Sequence, residues 1–391
     1  MLNTDFSPWP LFTEEEAEAV SNVLLSNKVN YWTGQECRSF EKEFAEFTES
    51  EFAVAVMNGS VALDLALLAL GIGKGDEVIV TPRTFLASAS SIINIGAIPV
   101  FADVNRDSQN ITRETITDLI TAKTKAIIVV HLAGWPCEMD EIMELANKKK
   151  IFVIEDCAQA HGARYKGRSV GSIGHIGCWS FCQDKIMSTG GEGGMVTTNN
   201  KELWSRMWSY KDHGKSWEAV YEKKHPPGFR WLHESFGTNW RLTEMQAVIG
   251  RIQLKRMKAW KNKRQANSSS IDFVCNKFDA LRVPLIPKYI EHARYKCYVF
   301  VRPEKLKEGW DRDRIVNEIS RLGVPCFQGS CSEVYLEKAF DKTGFRPRKR
   351  LTTAKELGET SLMFLVHPTL KQSEIDKKCD AIEKVMMSAS Y

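Results

Sequence analysis

Short apolar runs rich in β-branched residues recur through residues 50–200 and alternate with amphipathic segments. Strands that alternate with helices are typical of a mostly parallel sheet with helices on both faces. The predicted strands are Phe52–Met57, Glu77–Thr81, Pro99–Phe101, Ala126–His131, Ile151–Glu155, Gly177–Phe181 and Gly194–Thr198, and the predicted helices between them are Val61–Leu70, Phe85–Ile95 and Asp140–Lys149. We therefore predict an α/β fold on a seven-stranded sheet. Its last strand follows a Gly-rich turn instead of a helix, which favours an antiparallel direction.

The pattern changes towards the C-terminus. Apolar positions at helical spacing predict one long amphipathic helix over Leu242–Lys261. Beyond it we predict a strand at Tyr298–Val301, a helix near Arg312–Leu322 and a last helix at Gln372–Met387. This indicates a large domain over residues 1–260, with an N-terminal helical segment, and a smaller α/β domain over residues 261–391.

Composition excludes several classes of protein. The 391 residues are 43% hydrophobic and 26% charged, which is ordinary for a globular chain. The net charge of +4 is too small to indicate a nucleic-acid partner. We find no signal peptide and no run of about 18 apolar residues, so we expect no membrane segment and a cytoplasmic location. The ten cysteines form no CxxC pair, so we expect free thiols and no metal site.

The first motif that could carry chemistry is Asn58-Gly59-Ser60-Val61-Ala62, between the first strand and the first helix. Ser60 is a good N-cap residue. A Gly-Ser turn at a helix N-terminus also exposes backbone N–H groups that can hold a phosphate. Taken alone, this motif favours a simple helix cap.

Two further motifs place a carboxylate and a lysine after strands. Glu155 and Asp156 end an apolar strand, where ligands bind in open α/β sheets, although a helix cap explains this segment equally well. Lys185 follows the next strand and precedes the glycine cluster Gly190–Gly194. A lysine in this position can form a Schiff base, while a surface role describes most lysines.

Together the three motifs favour one cofactor. Pyridoxal 5′-phosphate (PLP) needs a phosphate cradle, a carboxylate for its ring nitrogen and a lysine for its aldehyde. Gly59 with Ser60, Asp156 and Lys185 supply these three groups in chain order.

The sequence resembles the DegT/StrS family of sugar-nucleotide aminotransferases, which belongs to the aspartate aminotransferase superfamily. The resemblance implies fold-type I of the PLP enzymes and a homodimer that shares its active sites. It also implies that the expected ligands are PLP, L-glutamate and a nucleotide sugar. The matching segments are Gly75–Val78, Thr84-Phe85, Glu155–Gly162, Ser180-Phe181 with Lys185, Gly191–Gly194 and Gly237–Leu242.

The resemblance also implies roles for individual residues. Lys185 is similar to the lysine that carries PLP, and Asp156 to the partner of the ring nitrogen. Phe85 would stack on the ring and Gln159 would contact its hydroxyl. The implied phosphate ligands are Gly59, Ser60, Val61, Ser180 and, from the partner subunit, Asn239. His213 and His367 fall in substrate-side segments, and Arg230 could meet a diphosphate or form a surface ion pair.

The substrate expected from this resemblance is a UDP-linked 2-acetamido-4-keto-6-deoxyhexose, aminated at C4 for surface-polysaccharide or glycan biosynthesis. Amination at C3 is the nearest alternative. A PLP-dependent 3-dehydratase would carry histidine in place of Lys185, and a non-catalytic regulatory protein would tolerate its loss. One departure from the family bears on the substrate, because Phe327–Ser332 replaces the usual His-Tyr segment.

Overall fold

All seven predicted strands lie in one sheet in the computed structural model, which describes residues 5–391. The order in the sheet is β1-β9-β8-β5-β4-β2-β3, and β9 alone runs antiparallel to its two neighbours, as predicted. The strands of the first half of the chain are β1 (Phe52–Val56), β2 (Glu77–Val80), β3 (Ile98–Phe101), β4 (Thr124–Val130), β5 (Phe152–Asp156), β6 (Arg164–Tyr165), β7 (Arg168–Ser169), β8 (Ile176–Ser180) and β9 (Gly194–Thr198).

Helices connect and cover these strands. They are α1 (Glu14–Leu25), α2 (Glu36–Thr48), α3 (Gly59–Ala69), α4 (Ala87–Asn94), α5 (Arg113–Thr117), α6 (Met139–Lys149), α7 (Lys201–Tyr210) and α8 (Trp217–Tyr221), with a 3-10 turn at Leu132–Gly134. The helix predicted from Phe85 begins two residues later, so Phe85 belongs to the loop after β2.

Both faces of the sheet are buried. Successive residues of a strand point to opposite faces, and Ile127 and Ile128 of β4 accordingly belong to two different apolar clusters. Val153 and Ile154 of β5 divide in the same way. This confirms the predicted sandwich of a mostly parallel sheet between helices.

The long helix α9 (Glu244–Cys275) extends 14 residues beyond the end predicted at Lys261. The polar run that follows Arg264 conceals this extension in the sequence. In the structure Asn267 and Ser268 are buried, and Asn267 Nδ2 donates to the carbonyl of Val366 at 3.3 Å. Tertiary contacts therefore stabilise a segment whose sequence predicts a break.

The C-terminal third has its own sheet and its own apolar cluster. Its elements are β10 (Leu281–Arg282), β11 (Ile290–Glu291), β12 (Lys296–Val301), α10 (Arg312–Arg321), α11 (Thr352–Thr360), β13 (Ser361–Leu365) and α12 (Gln372–Ala389), with 3-10 turns at Pro303–Lys305, Val334–Leu336 and Lys338–Phe340. β12 lies between β10 and β13 in an antiparallel sheet. The buried cluster around this sheet draws on residues from Ile271 to Ala389. The proposed boundary at residue 260 falls within α9, so the division into two domains remains a prediction.

Candidate active site

A cavity of about 380 Å³ opens at the carboxyl ends of β1, β2, β5 and β8. In open α/β sheets this edge is the usual place for a ligand. The cavity brings together seven of the residues singled out in the sequence: Gly59, Ser60, Phe85, Asp156, Gln159, Ser180 and Lys185.

The two carboxylates at the end of β5 have different surroundings. Asp156 faces the cavity, where Ser88 Oγ donates to its Oδ2 at 2.7 Å and the Ala158 N–H donates to its Oδ1 at 3.2 Å. Burial raises the pKa of Asp156 above its ordinary value, and these two hydrogen bonds only partly offset the effect. A buried carboxylate of this kind calls for a cation in the cavity.

Glu155 points to the opposite face and has a structural role. Its carboxylate accepts hydrogen bonds from His131 Nε2 at 2.9 Å and from the N–H groups of Gly171 and Gly174. Burial would raise the pKa of Glu155, but the bonds from His131 and the backbone hold it below the ordinary value. His131, Glu155 and Cys157 lie close together, but both ring nitrogens and both carboxylate oxygens already have protein partners.

The N-terminus of α3 lies at one end of the cavity, and its cap differs from the sequence prediction. Asn58, not Ser60, is the N-cap residue, and its Oδ1 accepts the Val61 N–H at 2.9 Å. The Val61 N–H is therefore already bonded, and Val61 does not line the cavity. Gly59 and Ser60 occupy the first helical turn, where backbone N–H groups point out of the helix.

Close packing requires glycine at position 59. A Cβ on Gly59 would lie 2.6 Å from the Cβ of Ser180 and 3.0 Å from its Oγ. The absence of a side chain lets the end of β8 approach the first turn of α3. Ser180 Oγ and the free N–H groups thus share a small polar recess.

Lys185 lies at the mouth of the cavity in a group of charged residues. Its Nζ is 3.4 Å from Asp184 Oδ1 and 5.6 Å from the centre of the Tyr295 ring. Tyr295 OH donates to the other oxygen of Asp184. Burial would raise the pKa of Asp184, but the charge of Lys185 and the bond from Tyr295 lower it.

Gln159 and Phe85 line the same cavity as Asp156 and Lys185. The Gln159 Oε1 accepts the Ala133 N–H at 2.7 Å, so its amide nitrogen is free to donate into the cavity. Phe85 is 70% exposed although it lines the cavity, and it offers an uncovered ring face.

A second cavity of about 470 Å³ adjoins the first. Both are lined by Thr84, Phe85, Gln159, Asp184 and Lys185. The second continues towards the C-terminal third, where Lys296, Tyr298 and the segment Gly329–Cys331 line it. Lys185 therefore stands where a cofactor-sized space meets a space large enough for a substrate.

Besides Val61, four residues proposed from the sequence lie outside these two cavities. Asn239, His213 and Arg230 are exposed on the segment that follows α7. His367 is buried beside Trp9, with ring centres 6.0 Å apart, and its Nδ1 is 2.8 Å from Thr369 Oγ1. Burial and the nearby charge of Arg264 lower the pKa of His367 to about 3. The roles proposed for these four residues remain predictions.

The sequence analysis missed three residues of this group: Ser88, Asp184 and Tyr295. Asp184 precedes Lys185, and this acidic neighbour was a usable signal. Tyr295 and Ser88 gave no such signal, because Tyr295 is 111 positions from Asp184 and Ser88 is 68 positions from Asp156.

The residues of the first cavity fit PLP. The glycine-dependent recess at Gly59, Ser60 and Ser180 suits a phosphate, and the buried carboxylate of Asp156 suits a protonated ring nitrogen. Lys185 is placed to bind the aldehyde. The fit rests on the buried carboxylate of Asp156, which forms no ion pair within residues 5–391, and on the recess that a Cβ would fill.

Comparisons with known proteins agree with this assignment. The family model of the DegT/DnrJ/EryC1/StrS aminotransferase family matches residues 10–383. An aminotransferase structure from Psychrobacter cryohalolentis is 65% identical, covers 98% of this chain and 99% of its own, and has a TM-score of 0.97.

Two curated relatives are also similar over nearly their whole length. The GDP-perosamine synthase of Escherichia coli O157:H7 is 43% identical, with 96% of each chain covered. The dTDP-3-amino-3,4,6-trideoxy-alpha-D-glucose transaminase of Streptomyces venezuelae is 38% identical, with 95% of this chain and 92% of the relative covered.

These findings confirm the predicted fold-type I architecture, the PLP cofactor and the transaminase activity. They favour an enzyme over the non-catalytic alternative. The chain belongs to the DegT/DnrJ/EryC1/StrS aminotransferase family and is a PLP-dependent sugar aminotransferase.

Proposed function

We propose that this enzyme transfers the amino group of L-glutamate to a nucleotide-linked keto sugar. The favoured acceptor is a UDP-linked 2-acetamido-4-keto-6-deoxyhexose, which becomes a 4-amino sugar for surface-polysaccharide or glycan biosynthesis. The position of Lys185 carries the proposed transfer, since this residue lines both the cofactor space and the larger substrate space. The choice of acceptor follows the family resemblance.

Different residues of the chain have different roles in the proposed reaction. PLP, when bound, supplies a ring that takes up the charge of a carbanion. Asp156 holds the proton on the ring nitrogen, which maintains that capacity. Lys185 Nζ removes the proton from the α-carbon of the donor and, in the second half-reaction, returns a proton to the sugar carbon. Gln159 and Phe85 orient the ring from two sides.

A GDP-linked keto sugar is the second candidate acceptor. The relative that is 43% identical over 96% of this chain is named for GDP-perosamine, which supports this candidate. The transaminase of Streptomyces venezuelae is named for a 3-amino sugar, so amination at C3 also belongs in the test. The 3-dehydratase alternative is disfavoured because Lys185 is present.

We also propose a homodimer in which each subunit completes the site of the other. Three large aromatic side chains, Phe229, Trp231 and Phe236, are 79–99% exposed on the segment that carries Asn239 and Arg230. An apolar group of this size on a surface usually marks an interface. Covering it with a second copy would place Asn239 against the partner subunit, as the family resemblance implies.

None of the helices in residues 5–391 is long and apolar enough to cross a membrane. The cytoplasmic location remains a prediction from the sequence.

The acceptor can be identified directly. The purified enzyme with PLP and ¹⁵N-labelled L-glutamate is incubated with UDP-, GDP- and dTDP-linked 4-keto and 3-keto sugars, and the products are analysed by mass spectrometry and NMR. We expect ¹⁵N at C4 of the UDP-linked acetamido sugar. Preferential labelling of a GDP-linked sugar, or of C3, would show that the favoured acceptor is wrong.

The Lys185→Ala variant provides the control for the chemistry. It should lose steady-state turnover and the visible absorption band of the bound cofactor, because the cofactor no longer has a covalent partner. Lys201→Ala, at the exposed start of α7, should retain both. Normal turnover by Lys185→Ala would disprove the role assigned to this lysine.

A further inference from the structure

Lys296, the first residue of β12, is a mostly buried cation without an anionic partner. Within residues 5–391 its ammonium group forms neither a hydrogen bond nor an ion pair, although it lines the second cavity. Asp184 lies nearby but is already engaged by Lys185 and by Tyr295 OH. Since an isolated buried ammonium is costly, its position in a cavity points to an anionic ligand.

Lys296 and the reacting lysine approach the same aromatic ring. Lys296 Nζ is 4.5 Å from the centre of the Tyr295 ring, and Lys185 Nζ is 5.6 Å from the same centre. Both nitrogens line the same cavity. An anion bound by Lys296 is therefore held near the atoms that react.

The two substrates of the proposed reaction carry anions at different distances from the reacting carbon. In L-glutamate the α-carboxylate is attached to the very carbon from which Lys185 removes a proton. In a nucleotide sugar the diphosphate is attached at C1, so the sugar ring separates it from a keto group at C4. A cation beside Lys185 therefore suits the carboxylate better than the diphosphate.

We propose that Lys296 binds the α-carboxylate of L-glutamate and is the residue that recognises the amino donor. This inference rests on the proposed use of L-glutamate. The carboxylate would pair with the free ammonium while the α-carbon lies against Lys185 Nζ. The keto sugar would bind in the same cavity without depending on Lys296.

Surrounding charges make this interaction depend on pH. Lys296 is faced by Asp184 and Lys185 from the loop after β8, by Arg264 from α9, and by His367 after β13. The pKa of Lys296 is lowered to about 8, mainly by burial; the charge of Asp184 raises it, and the charges of Arg264 and Lys185 lower it. The charged form is present below that pKa and lost above it, so glutamate should bind more weakly as the pH rises through about 8.

The test compares Lys296→Met, Lys296→Arg and a matched control, Lys305→Met. Lys305 lies in the same third of the chain, outside both cavities, and pairs with Asp279 at 2.9 Å. For each holoenzyme, the change in cofactor absorbance is measured against L-glutamate concentration. The second half-reaction is then measured against the concentration of the keto sugar. Binding of the unreactive dicarboxylate maleate is measured by calorimetry.

We expect Lys296→Met to raise the half-saturating glutamate concentration by about tenfold or more, since a charge-assisted bond is lost. Maleate binding should weaken to a similar extent, while the half-saturating concentration of the keto sugar should change by less than about threefold. Lys296→Arg should restore part of the glutamate affinity, and Lys305→Met should behave like the wild type. The weakening of glutamate binding above about pH 8 should be absent from Lys296→Met.

Other outcomes would overturn the inference. An unchanged half-saturating glutamate concentration in Lys296→Met would show that Lys296 does not recognise the amino donor. A loss of affinity confined to the keto sugar would indicate that Lys296 binds the diphosphate of the nucleotide sugar instead. If Lys296→Met does not fold, Lys296→Gln serves the same purpose. A wild-type enzyme that does not react with glutamate at all would instead refute the proposed function.

Discussion

At the residue scale, neighbouring carboxylates acquire different roles because successive strand residues face opposite ways. Glu155 holds the turn at Gly171–Gly174, whereas Asp156 faces the cofactor space. The sequence predicted that a strand ends in two acids and left a helix cap as an equal alternative. It could not decide between these roles, because the partners that define them, Ser88 and His131, lie far away in the chain.

Asp156 should make the stability of the cofactor-free enzyme depend on pH. Its pKa is raised, so the fold disfavours the ionised form, and its contribution to stability is lost as the pH rises through that pKa. The Tm of the cofactor-free wild type should therefore fall relative to Asp156→Asn as the pH is raised above about 4. Thermal unfolding of both proteins, with exposed Asp118→Asn as control, measures the difference. A difference that is constant or grows in favour of the wild type would contradict this explanation.

PLP should reverse this difference. A protonated ring nitrogen supplies the missing cation, and a ligand that binds only the folded state raises its stability. PLP should accordingly raise the Tm of the wild type more than that of Asp156→Asn. An equal gain in both proteins would show that Asp156 does not pair with the ring.

At the scale of single elements, the predicted strand and helix ends lie within two residues of those in the structure, except for the end of α9, which lies 14 residues beyond its predicted position. Strand signals are local, because β-branched runs such as Gly194–Thr198 are sufficient to indicate them. Helix ends depend on side-chain contacts. Asn58 caps α3 where Ser60 was expected, and the last turns of α9 are stabilised by contacts to Val366 and His367. Val366 and His367 are 99 and 100 positions from Asn267 in the chain, so no local pattern could reveal these contacts.

The first turn of α3 gives a prediction with a close control. Gly59→Ala would force a Cβ to within 2.6 Å of Ser180, so the phosphate recess must deform. Gly73→Ala meets only the Ile95 carbonyl oxygen at 4.0 Å. We expect the first substitution to weaken PLP binding by about tenfold or more, as when a charged hydrogen-bonding site is lost, and the second to leave it unchanged. Fluorescence titration of the cofactor-free proteins with PLP measures both, and equal affinities would disprove the proposed recess.

At the scale of the whole molecule, a buried arginine joins the two parts of the chain. Arg83, after β2, donates to Gln109 Oε1 at 2.8 Å, to Ser332 Oγ at 2.7 Å and to Ser361 Oγ at 3.2 Å. Burial lowers its pKa below the ordinary value, and no carboxylate pairs with it in residues 5–391. Arg83 thereby fastens the segment that lines the second cavity to the large sheet.

Truncation of Arg83 should destabilise the protein strongly. Arg83→Ala leaves buried acceptors without donors, and we expect a loss of about 3 kcal/mol or more in the free energy of unfolding. Arg106→Ala breaks an exposed pair with Glu356 and should cost less than about 1 kcal/mol. Urea unfolding of both variants gives the comparison. Similar losses in the two proteins would mean that Arg83 does not fasten the two parts.

Helix α9, at 32 residues, is about 48 Å long and acts as a strut between distant parts of the enzyme. Near its start, Gln253 accepts the Ser188 N–H at 2.8 Å, just after the reactive lysine. Eleven residues further along the helix, Arg264 donates to the Tyr295 carbonyl at 3.3 Å, beside Lys296. A displacement of the C-terminal sheet can therefore reach the lysine loop without passing through the substrate. Selection for a new sugar would be free to vary the loop at Phe327–Ser332, but it would have to preserve the strut, because the strut joins the loop after Lys185 to the strand that carries Lys296.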